Sequence, residues 1–318
     1  MAVCAGIYDQ AESYLMDEMI REAVAFIRRH DAFFITYHIN PDDDAYGSAV
    51  ALALSLRSIG KVAEVSGAYP ATRTLHTFRY GEMPAGAASI FLDVGSARRG
   101  DPIAINGVEI MNIDHHHGSF IEGAVNIVDE WASSTAEILV RIFNAMGVAV
   151  SPWVADFLYA GIYSDTDGFR SITTSPETLR AATALAYAGA NVQRIASKVQ
   201  NHTMDFYRLM DSLLIRDDGE IGIYALSYED ASRSNITENE LQSLPDRIYE
   251  AVGKQTVILL NEIEPNVVRV SIRSIFDQQR FAEAIGGGGR AGAWAVTCRR
   301  SLSEVKRIID DNRGEIAV

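Results

Sequence analysis

Short apolar runs that end in aspartate or histidine constrain this chain more than any other feature. AFFITYH (32–38), SIFLDV (89–94) and VEIMNID (108–114) are apolar enough to be buried strands, and each carries an acid or an imidazole at its last or next-to-last position. KVAEVS (61–66) reads as a further strand. Segments 15–29 and 45–59 show helical spacing, the second stopping at Gly60. Strands and helices on this rhythm predict a doubly wound α/β domain, a parallel sheet covered on both faces. In such a sheet the carboxyl ends of the strands form the ligand crevice, where the acid-bearing segments would meet.

Helices are expected at 133–148, 153–165 and 176–190, the last opened by Thr174-Ser175-Pro176 with Glu177 in its first turn. Residues 191–216 read as a helical connector. The texture then changes: 220–228, 256–263 and 267–274 look like strands of a mixed sheet, with helices at 278–285 and 301–312 flanking a glycine run. The expected organisation is a catalytic domain (1–190), the connector (191–216) and a smaller α/β domain (217–318). At 318 residues the chain is comfortable for two domains.

Four segments concentrate the chemistry: His38 to Asp44 with Pro41, Asp42 and Asp43 between, then Asp93, then Asp114-His115-His116-His117, then Ser164-Asp165-Thr166-Asp167. Singly each has an ordinary explanation, since aspartate caps turns and favours helix N-termini. Together they would crowd carboxylates into one crevice, where each desolvated charge is costly unless compensated. Divalent cations resolve this, and imidazole mixed with carboxylate oxygen suits manganese, or magnesium, iron or cobalt. Asp42, Asp44, Asp93 and Asp165 together carry the charge that two divalent ions would neutralise. Two such ions about 3.5–4 Å apart would activate a hydroxide and clamp both oxygens of an in-line phosphoryl displacement.

The pattern H-x-x-P-D-x-D-A-x-G-S over 38–48, a strand-end Asp93, Asp114-His115-His116 and Ser164-Asp165-Thr166, in this order, resembles the DHH phosphoesterases. The C-terminal half is similar to their associated domain through Ser271-Ile272-Arg273-Ser274 and the run Gly286-Gly287-Gly288-Gly289. The likeness spans nearly the whole chain. Its length without added domains resembles the members that act on short oligoribonucleotides (nanoRNA) and 3′-phosphoadenosine-5′-phosphate (pAp). The resemblance implies one metal on His38, Asp42 and Asp93, and another on Asp44, Asp93, His115 and Asp165, with Asp93 bridging. It implies that His116 contacts the scissile phosphate and that Asp114 orients the histidines. It implies a nucleotide held by Arg273, Ser274, the four glycines and Arg290, the glycine N–H groups approaching a phosphate. Three residues depart from the family pattern. Ser119 stands where Asn is frequent, Asp167 where Gly is common, and Arg290 where His follows the glycines. Arginine grips phosphate bidentately, so an anion site is expected to survive that last change, while substrate preference is left open.

The formal net charge of −14 argues against long duplex nucleic acid, which calls for a basic face. No apolar run reaches the roughly 18 residues that would span a bilayer. The N-terminus does not read as a secretion signal, and Cys4 and Cys298 suggest free thiols in a reducing cytoplasm. The expected function is manganese-dependent hydrolysis of short oligoribonucleotides, pAp or both, with two metals and closure of two domains over the substrate. A homodimer is left open. Alternatives are a cyclic or linear dinucleotide phosphodiesterase, an inorganic pyrophosphatase sharing the metal motifs, and a catalytically silent nucleotide-binding protein.

Overall fold

The computed structural model describes residues 2–317 apart from 40, 67–74, 76–77, 172, 200–202, 237 and 291. For 2–15, 199, 214–218, 238–239 and 289–290 only the backbone is described. The chain divides into two compact units, Met1–Asn201 and His202–Val318. No helix among the described residues is long and apolar enough to cross a membrane.

The first unit runs α1 (Ala2–Arg29), β1 (Ala32–Tyr37), α2 (Asp43–Ser58), β2 (Val62–Ser66), β3 (Ala88–Leu92), β4 (Ile110–Asp114) and β5 (Val125–Val128). It continues with α3 (Thr135–Met146), α4 (Pro152–Asp165), α5 (Pro176–Tyr187) and α6 (Val192–Val199). All five strands are parallel, in the order β2-β1-β3-β4-β5. One face packs Phe33, Ile35, Tyr37, Ile90, Leu92 and Ile113 against the helices. The other face buries Phe34 and Phe91 with Ala104, which belongs to a 3-10 turn, Pro102–Asn106. Burial on both faces explains why these strands read as unbroken apolar runs. β5 escaped the sequence reading because Val125-Asn126-Ile127-Val128 is only four residues long and carries a polar side chain.

The strand order reverses between β1 and β3, the kind of switch point at which ligand crevices open. His38 follows β1 and Asp93 follows β3, so topology alone sets these two side by side. Close crossing of α2 and α4 adds Asp44 and Asp165 to them. A Cβ at Gly47 would lie 2.5 Å from the Phe157 carbonyl oxygen, and one at Gly161 would lie 2.6 Å from Asp44 Oδ1. Only glycine permits that approach.

The second unit runs α7 (Met204–Ser212), β6 (Leu214–Asp218), β7 (Ile221–Leu226), α8 (Tyr228–Arg233), α9 (Glu238–Val252), β8 (Thr256–Glu264) and β9 (Val267–Ser274). It ends with α10 (Gln279–Ala284), β10 (Gly288–Arg290), β11 (Ala293–Cys298) and α11 (Leu302–Asp311). Its six strands lie in the order β10-β11-β9-β8-β7-β6, with β7 and β8 parallel and the other pairs antiparallel. Ile258, Leu260, Ile272 and Trp294 pack with Phe281 and Val305 on one face. Tyr224, Val257 and Leu259 pack with Phe206, Leu244 and Ile248 on the other. The expected connector spans α6, α7 and the start of β6. α9 was not expected, because Pro245 lies inside it and proline removes a helical hydrogen bond. The glycine run does not simply separate two helices: its second half is the edge strand β10, followed by β11.

Candidate metal and phosphoester site

His38 is 6% exposed, with Nε2 3.5 Å from Asp93 Oδ2 and 3.8 Å from Asp42 Oδ2. Asp42 also caps α2, its Oδ1 accepting the Ala45 N–H at 2.9 Å. Capping and clustering coexist because the two carboxylate oxygens take different partners.

Asp44 is fully buried, yet it is satisfied from another helix. It accepts the Thr135 and Ala136 N–H groups at 2.8 and 2.9 Å and the Ser48 hydroxyl at 3.3 Å. These are orphan donors of the first turn of α3, whose N-cap is Ser134. Nothing in the four acidic segments pointed to them; the Ser133-Ser134-Thr135-Ala136-Glu137 capping pattern was the signal that could have.

Asp93 has a φ of +56°, in the left-handed region where side chains other than glycine are held only at a cost. That conformation turns the chain at the end of β3 and leaves the carboxylate 1% exposed among three histidines. Its Oδ1 is 3.4 Å from His115 Nε2 and 3.2 Å from His116 Nδ1. His115 Nε2 is also 3.3 Å from Asp165 Oδ2, and it is buried without a hydrogen bond.

Asp114 is the hub beneath. Its Oδ1 accepts the His115 and His116 N–H groups at 2.7 and 3.1 Å and faces His116 Nδ1 at 2.8 Å. Its Oδ2 accepts the Gly95 N–H and the Ser119 hydroxyl, both at 2.6 Å. Ser119, noted as a departure, thus anchors the aspartate that orients the histidines. The His116 ring is anchored through Nδ1 while 45% of the side chain stays exposed. His117 lies at the surface, bonded to Glu130 at 2.6 Å.

Donor atoms within 4.8 Å of one another form three sets: His38, Asp42 and Asp93; Asp44, His115 and Asp165; and Asp93, Asp114, His115 and His116. All six sequence-derived metal candidates fall in the first two. The mixed imidazole and carboxylate donors, with a buried His115 nitrogen that has no hydrogen bond, fit divalent cations.

The electrostatics match crowded carboxylates. Burial, then the charge of Asp93, pushes the Asp44 carboxyl up to about 7. Burial acts the same way on Asp93, but the imidazoles of His115, His116 and His38 close around it hold it well below the usual carboxylate range. Burial disfavours a charged His38, yet Asp42 and Asp93 raise it to about 9. Asp114 and Asp93 lift His116 to about 10. Protons on imidazoles balance the acids here, a task that cations on His38 and His115 would take over in part, with release of those two protons.

In the second unit, Arg273 is clamped by Asp246, through Nε to Oδ1 at 2.5 Å and Nη2 to Oδ2 at 2.9 Å. Ser274, expected among the substrate-binding residues, is 4% exposed and spends its hydroxyl on Thr256, Gln278 and the Phe276 N–H. Its task is internal, because it ties β8 and β9 to the residues that follow. Gly286 turns the chain at φ +84°, and a Cβ at Gly287 would lie 2.6 Å from that of Val296. Gly288 and Gly289 pair with Ala295 and Trp294. Arg290, Ala293 and Arg273 share one rung across β10, β11 and β9.

Residues 32–162 match the DHH family, N-terminal domain. Over 279 residues the chain is 29% identical to the bifunctional oligoribonuclease and PAP phosphatase NrnA of Thermus thermophilus, covering 84% of each protein. It is 24% identical over 307 residues to the protein of that name from Bacillus subtilis, covering 92% of this chain and 97% of that one. It shares its fold with an exopolyphosphatase-related protein of Bacteroides fragilis, at a TM-score of 0.77 and 21% identity over 93% of this chain and 95% of that one. With these matches and an acid and histidine cluster gathered at the sheet's carboxyl edge, the chain belongs to the DHH family of phosphoesterases, metal-dependent hydrolases of phosphoester bonds.

Proposed function

We propose that this protein hydrolyses short oligoribonucleotides and pAp with two divalent cations, manganese foremost. The observation that carries the reading is the pair of adjoining donor sets, His38, Asp42, Asp93 and Asp44, His115, Asp165, with the Asp93 carboxylate within reach of both. The first set would hold one cation and the second, with Asp93, the other. When bound, the two cations supply charge neutralisation, a polarised phosphoryl oxygen and a nucleophile at neutral pH.

The chain's own residues do the rest. His116, cationic and fixed by Asp114 and Asp93, donates a hydrogen bond to a phosphoryl oxygen and stabilises charge developing there. Asp114 holds the imidazole in place. Arg273, Arg290 and the glycine edge strand hold the nucleotide portion, Arg273 pre-oriented by Asp246. Relatives named oligoribonuclease and PAP phosphatase support this substrate class. So do Ile39, Phe120 and Trp131, exposed by 66, 65 and 78% on the loops that follow β1, β4 and β5. Such apolar groups suit a nucleobase and would be idle around inorganic pyrophosphate.

The test is a panel of pApA, longer oligoribonucleotides, pAp, cyclic di-AMP and pyrophosphate, with manganese and with chelator. Turnover of pApA and pAp that stops with chelator is expected. Turnover of pyrophosphate alone would overturn the substrate class.

A further inference from the structure

The turn after α4 carries features that the metal cluster does not use. Asp167, Gly168 and Phe169 are left-handed in succession, with φ of 48, 68 and 67°. Glycine adopts that state freely and aspartate tolerably, but a phenylalanine there is a true outlier. The surroundings enforce it. Gly168 N–H donates to the Tyr163 carbonyl at 2.8 Å, Phe169 N–H to the Thr166 hydroxyl at 3.0 Å, and the Arg170 and Ser171 N–H groups to the Thr166 carbonyl at 2.9 Å. The Phe169 ring packs on Tyr163 and Tyr159 with centroids 5.4 and 6.1 Å away. The chain therefore reverses directly after Asp165 and returns Arg170 to the end of α4.

Asp167 then grips the arginine twice. Arg170 Nε donates to the Asp167 carbonyl at 3.0 Å and Nη2 to its Oδ2 at 2.8 Å, while 47% of the arginine side chain stays exposed. A glycine at 167 would relax the backbone but remove the carboxylate half of that grip. An exposed ion pair contributes little to stability, so fold stability is a poor reason to hold a strained turn around one. A guanidinium fixed on a turn that folds back to the end of α4, where the candidate metal ligand Asp165 sits, has a chemical use instead. Asp44, Asp93, Asp114 and Asp165 make the metal cluster rich in acids, and a planar guanidinium is the side chain best matched to an incoming phosphate.

We infer that Arg170, positioned by Asp167, binds a phosphate of the substrate at the metal site. The inference rests on the phosphoester reading above and adds to it a cation from the first unit. Arg170→Ala, Arg170→Lys and Asp167→Asn test it against wild type. Manganese affinity, KM and kcat for pApA, and calorimetric binding of 5′-AMP to the manganese-loaded protein are read for each. Arg170→Ala is expected to raise KM and weaken 5′-AMP about tenfold, the scale of one lost charge-assisted contact, with manganese affinity within about twofold of wild type. Arg170→Lys should recover part of the loss, and Asp167→Asn should show a smaller version of it. An unchanged KM and 5′-AMP affinity in Arg170→Ala would overturn the inference. So would a loss of manganese affinity that accounts for the whole effect, the mark of a residue that only closes the helix. If wild type turned over no phosphoester, the proposed function would fail, while the 5′-AMP arm would still decide the role of Arg170.

Discussion

The two units carry their chemistry in different ways. In the first, function sits in side chains at the carboxyl ends of parallel strands, where His38, Asp93 and His115 meet because the strand order reverses. In the second, the contacts proposed for the nucleotide rest on backbone arrangement: a glycine edge strand, and a sheet register that puts Arg273 and Arg290 on one rung. The acids of the first unit lean on histidine protons and helix N–H groups. Arg273 in the second is already paired with an acid, Asp246. A metal cluster dictates residue types, whereas a phosphate-holding surface dictates geometry.

The largest effect that would sharpen this contrast is expected from His115→Ala. Removing a nitrogen that faces both Asp93 and Asp165 should cost roughly a thousandfold in turnover and abolish tight binding of one cation, with the circular dichroism of a folded protein retained. Retained activity would sink the site assignment. Next is Arg273→Ala, which should raise KM for pApA by about ten- to a hundredfold while leaving manganese affinity alone. If manganese affinity fell instead, the division of labour between the units would be wrong.

Ser119→Ala removes the 2.6 Å bond to Asp114 and should lower kcat by about tenfold, because support of metal-ligating histidines is typically worth that much. A wild-type rate would show that Gly95 and the histidine N–H groups suffice to hold Asp114.

The smallest effect is on stability against pH in metal-free protein. His38 and His116 are raised from 6.5 to about 9 and about 10, so their pairing stabilises the fold fully below pH 6.5. That contribution is lost as pH rises through the folded values. The melting temperature of metal-free protein should therefore fall between about pH 7 and 10, while the manganese-loaded protein should fall less, because a cation on His38 replaces its proton and leaves His116 to titrate. A flat profile without metal would show that the imidazoles are not charged against the acids.

Legibility in the sequence followed the same division. β1, β3 and β4 announced themselves as apolar runs, because strands buried on both faces cannot alternate. β5 did not, being four residues long with Asn126 inside it. α9 was hidden by Pro245, and β10 by glycines that read locally as a loop but pair with β11. Ser274 looked like part of a binding strand until its burial beside Gln278 showed where its hydroxyl goes.

Read alone, the order of residues was enough to give the parallel sheet and the reaction class, and to single out the acids and histidines that the fold gathers, because each depends on side-chain chemistry at positions that local periodicity places at or near element ends. It could not reveal the α3 N–H groups that satisfy Asp44, the Ser119 anchor under Asp114, the Asp246 clamp on Arg273 or the turn that fixes Arg170. Those depend on atoms far apart in sequence, or on backbone angles that packing enforces, and they exist only once helices cross and strands take their register.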